Sequence, residues 1–320
     1  MTRYTVTGGA GFIGSNLCDA LLEGGNEVVA LDNLSTGRRE FVESARSHDD
    51  FELVEMDLLD ADRVTEAIAG ADAVVHLAAN ADVRFGWNHP RRDLEQNLVA
   101  THNVLEAMRQ TGVGRLLFSS TGSVYGDCKT IPTPEDAPIP VQTSLYGASK
   151  FAAEAFIQAY TEGTEINAAV LRFVSIMGSR YTHGHVIDFV RLLQHDPNRL
   201  PILGDGRQRK SYLEVTDCVR AMLTVLDRDA PFETFNLGVD NYCTVSDSAG
   251  WISERLGLEP EFEFGGGDRG WVGDNPFILL DTHKIRSTGW EPRYGIREAV
   301  ERTVDFLIGS PHLLEDESIT

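Results

Sequence analysis

The first thirty-two residues restrict the possible folds more than any other part of this chain. A short apolar run, residues 3–6, leads into Val6-Thr-Gly-Gly-Ala-Gly-Phe-Ile-Gly14. An apolar segment at helical spacing follows, and then a second apolar run that ends on Asp32. Glycine at positions 8, 11 and 14 permits a tight turn, close backbone approach to a pyrophosphate and close packing of helix on sheet. The amides and dipole of the helix N-terminus favour an anion there. Glycine-rich turns are common, so the weight comes from the context: a strand before, a helix after, and an acid eighteen residues beyond Gly14. A carboxylate in that place bonds the adenosine ribose hydroxyls and repels a 2′-phosphate, which favours NAD. Arg38 and Arg39 nearby would suit a 2′-phosphate, so NADP stays open on this ground alone.

The same alternation continues through the first half. Residues 3–6, 27–31, 51–55, 73–76, 115–119 and 168–173 are apolar runs of strand length. Residues 12–23, 61–69, 91–110 and 146–160 carry apolar side chains at helical spacing. Strands alternating with helices predict a doubly wound parallel α/β sheet of the Rossmann type, with right-handed crossovers. Pro132, Pro134, Pro138 and Pro140 make residues 126–143 an extended loop. Beyond about residue 174 the elements shorten and loops rich in Gly, His and Arg intervene. This predicts a dinucleotide-binding domain over 1–174 and a smaller α/β substrate-binding region over 175–320, at the carboxyl ends of the strands. The acidic tail from residue 311 is expected to fray.

Composition narrows the function classes. No apolar run approaches the roughly eighteen residues of a membrane span, and the chain opens directly on a strand without a signal peptide. Cys18, Cys128, Cys218 and Cys243 are widely separated and form no C-x-x-C pair, which predicts neither a disulfide framework nor a zinc site and suits a reduced, cytoplasmic setting. The net charge of −21 disfavours nucleic acid as a partner. The acids are dispersed, and lysine occurs only at 129, 150, 210 and 284. Adaptation to salt explains such a surface, and so does arginine-favouring codon usage.

Scarce lysine makes Tyr146-Gly-Ala-Ser-Lys150 informative. Phenol and ammonium four residues apart share one helix face. The ammonium, with an oxidised nicotinamide adding its own charge, is expected to pull the phenol down from about 10 toward working pH and make it a general base. Upstream, Phe118-Ser-Ser-Thr-Gly-Ser-Val-Tyr-Gly126 crowds hydroxyls at a strand end and contains no acid.

Taken together, TGGAGFIGS, Asp32, Asp57-Leu58, His76-Leu-Ala-Ala79, SST…VYG and YGASK resemble the extended short-chain dehydrogenase/reductases. Within them the nearest likeness is to the NAD-dependent nucleotide-sugar epimerase/dehydratase family and its UDP-glucose 4-epimerase group, in order over residues 2–290. The resemblance implies Tyr146 as base, Lys150 on the nicotinamide ribose and Thr121 on the sugar oxygen. It implies cofactor contacts from Gly8, Gly11, Phe12, Ile13, Gly14, Asp32, Asn33, Asp57, Leu58, Ala78, Ala79, Asn97 and Ser119, and a homodimer paired through helices 91–110 and 146–160.

On the substrate side, residues 204–217 (GDGRQRKSYLEVTD) are similar to the family's GDG-x-Q-x-R-D-F segment, with Lys210 where an arginine is usual and Arg209 beside it. Lysine keeps the charge but loses the bidentate fork. Arg269 and Asp274 resemble the family's second arginine and ribose-binding aspartate at wider spacing. Ser175 stands where an asparagine usually meets the nucleotide sugar, and Ser123 joins Thr121 near the sugar. His183 and His185 are candidates for the sugar pocket, and no set of residues has metal-ligand spacing. The family's activity is 4-epimerisation of a UDP-sugar through a transient 4-ketose. Its 4,6-dehydratases carry Asp-Glu after the threonine and its uronate decarboxylases a glutamate nearby, whereas this chain has Gly122 and Ser123. A ketosugar reductase, and a non-catalytic dinucleotide sensor that would need neither Tyr146 nor Lys150, are the remaining alternatives.

Overall fold

The computed structural model describes residues 1–81, 86–139, 141–271 and 273–315. Its central sheet has seven strands: β1 Arg3–Thr7, β2 Glu27–Asp32, β3 Phe51–Glu55, β4 Ala73–His76, β5 Arg115–Thr121, β6 Asn167–Phe173 and β7 Phe232–Leu237. They lie in the order 3-2-1-4-5-6-7, and the pairs β1–β2, β2–β3, β1–β4 and β4–β5 are parallel. The order reverses between β1 and β4, and that switch point puts the ends Thr7, Asp32, His76 and Thr121 around one crevice. The doubly wound sheet expected from the alternation is therefore present, and β7 adds a strand the apolar-run reading did not include.

Helices α1 (Phe12–Glu23), α2 (Ala61–Ile68), α3 (residues 90–111) and α4 (Leu145–Gly163) flank the sheet. Helix α3 is continuous but irregular: Pro90–Asp93, a π-helical stretch Leu94–Val99, then Ala100–Thr111. One core holds this half together. Val29, Leu31, Val74, Leu116 and Phe118 from the strands pack with Val104, Leu105 and Met108 of α3 and Ile157 of α4. Each such burial is worth about 1.5–3 kcal/mol relative to exposure.

The chain divides into two compact units by segments. The first comprises Met1–Val124, Leu145–Arg172 and Val219–Phe235, and the second Tyr125–Ser144, Phe173–Cys218 and Asn236–Thr320. The proline-rich loop belongs to the second because its backbone pairs there: Thr133 N bonds Leu279 O, and Asp281 N bonds Thr133 O, both at 2.9 Å. Pro140 itself lies outside the described residues. The second unit contains three short strand pairs, Ser175–Met177 with Tyr212–Glu214, Arg199–Ile202 with Glu261–Phe264, and Arg209–Lys210 with Cys243–Thr244. Helices His185–His195, Val245–Leu256 and Ile296–Gly309 accompany them. Of the expected tail, His312–Glu315 forms a helical turn, and residues 316–320 lie outside the described residues.

Candidate active site

The cofactor cradle is built from backbone. Gly8 sits at φ +68°, and a Cβ there would meet Ala78 N at 2.8 Å. A Cβ on Gly14 would collide with the Gly8 carbonyl, so these two glycines let the turn, the helix and the segment after β4 pack together. Gly11 differs: a Cβ there would meet only Gly8 O, at 3.1 Å. It is the N-cap of α1, provides no side chain to bond the first-turn amides, and no acid occupies that turn. Such a helix end suits a pyrophosphate.

Asp32 ends β2 beside the glycine turn. Its carboxylate accepts Ala10 N at 2.9 Å and Leu34 N at 2.8 Å, which leaves lone pairs for a ribose diol. Burial raises its pKa, and the two amides oppose the rise. Asn33 bonds Asp57 across the ends of β2 and β3 at 3.3 Å, and the Leu58 carbonyl is held by Asn103 at 2.8 Å. Arg39 pairs with Glu55, and Arg38 lies 3.7 Å from Glu40. Phe12 is buried, while Ile13 and Ala79 are half-buried.

Tyr146 and Lys150 occupy the first turns of α4, and Thr121 ends β5. The Thr121 hydroxyl accepts Ser123 N at 3.1 Å, and its proximity to the phenol favours the ionised form. Lys150 is 2% exposed and its ammonium lies 4.1 Å from the centre of the Phe118 ring. Burial pushes Lys150 down to about 7, opposed by Glu154. Tyr146 departs from expectation: burial pushes the phenol up to about 12, with Asp93 adding to the rise and Thr121 opposing it. Desolvation of a phenolate is therefore the dominant effect on this phenol in this structure.

A buried polar network joins the cradle to this pair. Asn97, placed by the π-helical stretch of α3, is fully buried rather than a surface helix residue. Its side chain accepts Asn80 N at 2.7 Å and donates to Ser149 Oγ at 2.9 Å, and Ser149 Oγ donates to Tyr146 O at 2.8 Å. His76 lies between Thr7 Oγ1 (2.7 Å) and Thr101 Oγ1 (2.9 Å). Thr101 donates to Asn97 O at 2.6 Å, so it must accept from His76 Nε2–H. Thr7 then donates to Nδ1 and accepts Ala78 N at 3.2 Å. Burial, with Lys150 nearby, pushes His76 down to about 3, so it is neutral. Ser119 Oγ donates to His76 O at 3.2 Å. The sequence reading missed Thr7, Thr101, Ser149 and the histidine's role. The available signal was a lone polar side chain ending the apolar run Ala-Val-Val-His76.

In the second unit Lys210, Arg269 and Asp274 come together. Lys210 Nζ lies 2.6 Å from Asp274 Oδ1 and also donates to Asn275 O. Arg269 bonds Asp274 O at 2.6 Å and Asp127 at 2.8 Å, while Gly270 N bonds Asp274 Oδ2 at 2.9 Å. Burial lowers the Lys210 pKa and Asp274 opposes it. Arg209 does not join them: as the neighbouring residue of one strand it points to the opposite face, where it stacks 3.8 Å from the Phe277 ring. Ser175 is exposed on its strand opposite Tyr212. His185 is bonded to Ser248 Oγ at 2.8 Å, stacked on Tyr212, and pushed by burial down to about 4. Among the described residues no group of His, Cys, Asp and Glu could hold a metal ion.

A glycine-built dinucleotide cradle with a buried Tyr–Lys pair beside it defines a nicotinamide-dependent active centre on a doubly wound sheet. The chain belongs to the NAD dependent epimerase/dehydratase family, whose profile matches residues 4–238. A UDP-glucose 4-epimerase of Mycolicibacterium smegmatis is 33% identical over 95% of this chain and 98% of its own. A solved UDP-galactose 4-epimerase is 42% identical, covers 96% of this chain and 99% of its own, and has a TM-score of 0.85. The UDP-glucose 4-epimerase of Thermus thermophilus, solved with NAD, is 33% identical over 96% and 99%, with a TM-score of 0.86. Other activities occur at similar distance: a dTDP-D-glucose 4,6-dehydratase of Mus musculus is 29% identical over 95% of this chain and 88% of its own, and UDP-glucuronic acid decarboxylase 1 of Arabidopsis thaliana is 30% identical over 94% and 69%. This protein is thus an enzyme of that family, and its cofactor is NAD. No helix among the described residues is long and apolar enough to cross a membrane.

Proposed function

We propose that this enzyme is a nucleotide-sugar 4-epimerase of the UDP-glucose/UDP-galactose type. The observation that carries the reading is the end of β5: Thr121 ends the strand, its hydroxyl accepts Ser123 N, and Gly122 and Ser123 follow it with no carboxyl group. Elimination of the C6 hydroxyl, or loss of a carboxylate, needs an acid or base that this stretch does not supply. The identities to known UDP-sugar 4-epimerases, 33% and 42%, support the same choice.

In this mechanism Tyr146 takes the proton of the sugar 4-hydroxyl and later returns it, while Thr121 shares the 4-oxygen and Ser123 lies alongside. Bound NAD would supply a reversible hydride acceptor for C4, so that the cycle would end with no net reduction. Lys150 holds the nicotinamide ribose and favours the phenolate electrostatically. Ala10 N and Leu34 N fix Asp32 for the adenosine ribose. Residues 175–320 supply the nucleotide side: Lys210 and Arg269 for the diphosphate, Asp274 for the uridine ribose, Ser175 for the sugar. Arg209 is left out of that set because it faces Phe277.

The enzyme works in the cytoplasm, in keeping with its four free cysteines, as a homodimer paired through α3 and α4, where Leu94, Val99 and Phe156 are exposed. The dispersed charge of −21 reflects adaptation to salt. The deciding experiment follows UDP-glucose, UDP-galactose and their N-acetyl and uronic forms by NMR with purified protein. Inversion at C4 with no net NADH is the expected result; a 4-keto-6-deoxy sugar or a pentose product would instead establish the dehydratase or the decarboxylase.

A further inference from the structure

We propose that Glu154 is a positioning residue whose buried carboxylate keeps Lys150 in its ammonium form. Tyr146, Lys150 and Glu154 follow one another at four-residue intervals along a single face of α4. Glu154 is 5% exposed and is fixed by donors from two strands. Ser120 of β5 donates to Oε1. Arg172 of β6, itself buried, donates Nε to Oε1 and Oε2 at 3.1 and 3.2 Å and its terminal nitrogen to Oε2 at 2.7 Å. This carboxylate, ion-paired with Arg172, is therefore held on the helix face it shares with Lys150.

The other groups around the lysine do not supply a negative charge. His76 from β4 is neutral, Phe118 from β5 presents its ring, Tyr146 is protonated, and Arg172 is cationic on the far side of Glu154. Asp93 of α3 bears on Tyr146 and raises it. Burial depresses Lys150, and Glu154 is the charge that opposes the depression. A neutral Lys150 would be a poor partner for a phenolate, so the network behind the reacting groups sets the pH range in which they work. Thr121 follows Ser120 directly, so the same anchor holds the strand end that meets the phenol.

The inference rests on the roles proposed for Tyr146 and Lys150, but its test needs no substrate. The chain has four lysines, so selective 13Cε labelling gives four signals, with Lys150 assigned by its loss in Lys150→Met. Glu154→Gln should lower the Lys150 midpoint by about one pH unit or more, whereas Arg172→Met should raise it. The double variant Glu154→Gln/Arg172→Gln removes both members of the buried Glu154–Arg172 pair, so neither is left without its partner; it remains testable if either single variant fails to fold, and its midpoint should lie between those of Glu154→Gln and the wild type. Shifts of the same sign in both single variants, or a double variant that titrates like the wild type, would overturn the proposal. Failure of the epimerase reading would show in the sugar assay and leave these titrations unchanged.

Discussion

The cofactor cradle of the first unit and the cationic cluster of the second, both proposed above to meet a diphosphate, present their donors by different means. The cradle uses backbone: amides at the start of α1, a glycine turn, and one carboxylate held by Ala10 N and Leu34 N. The cluster uses side-chain charge: Lys210 is paired with Asp274, and Arg269 with Asp127. Backbone donors are oriented by the fold and need no counter-ion, so they are ready before a ligand arrives. Side-chain cations in an acidic chain are neutralised internally, and a phosphate must compete with the carboxylates already there. The first site is therefore sensitive to shape and the second to charge.

The largest expected effect lies with the reacting groups, outside both. Tyr146→Phe should lower turnover by about 10²–10⁴-fold or abolish it, with NAD retained, because the cradle does not depend on the phenol. Retained activity in that variant would sink the mechanism. Lys210→Ala leaves Asp274, 2% exposed, without its ammonium, and breaking such a pair costs about 3–5 kcal/mol, read from chemical denaturation. An unchanged midpoint would show that the cluster is not built on charge.

Within the cradle, Gly14→Ala should cost about 1–3 kcal/mol by collision with Gly8 O, whereas Gly11→Ala should fold normally and instead weaken NAD binding in a titration. Equal effects at the two positions would erase the division between packing glycine and ligand-facing glycine. Acid tests both units together. His76 is pushed down to about 3 and His185 to about 4, so the folded state binds fewer protons than the unfolded chain below about pH 6.5. Stability from these groups is complete above that pH and is lost as pH falls toward 4 and then 3, which denaturation midpoints across the range will show. The smallest effect is general: potassium chloride should raise the thermal midpoint by screening the −21 net charge, and a flat response would favour codon usage as the source of the acidity.

What was legible in the sequence follows the same division. The expected strands at 51–55 and 73–76 match β3 and β4, and the others differ from their strands by a residue or two at the ends. Parallel strands covered on both faces read as continuous apolar runs, and this chain obeys that pattern. Strand β7 escaped because in Phe232–Leu237, FETFNL, Glu, Thr and Asn interrupt the apolar residues at the sheet edge, and the strand follows a long excursion through the second unit. Gly8, Gly11, Gly14, Asp32, Tyr146 and Lys150 were legible because each motif is local: the physics that makes it useful acts over a few residues of one turn or one helix face.

What tertiary structure alone decided is the electrostatics. The sequence placed an ammonium one turn from a phenol and the expectation was a lowered phenol; burial reversed it, because desolvation depends on everything packed around the ring. The sequence set Lys210 at the expected cationic position with Arg209 beside it to share the role, and the alternation of side chains along the strand sent one to Asp274 and the other to Phe277. Ser120, Glu154 and Arg172 are far apart in the chain and form a group only when β5, α4 and β6 bring them together. Backbone geometry is written in short spacings, so the cradle and the order of elements were readable from the chain. The charge state of a buried group depends on neighbours contributed by distant segments, and those neighbours exist only once the chain has folded.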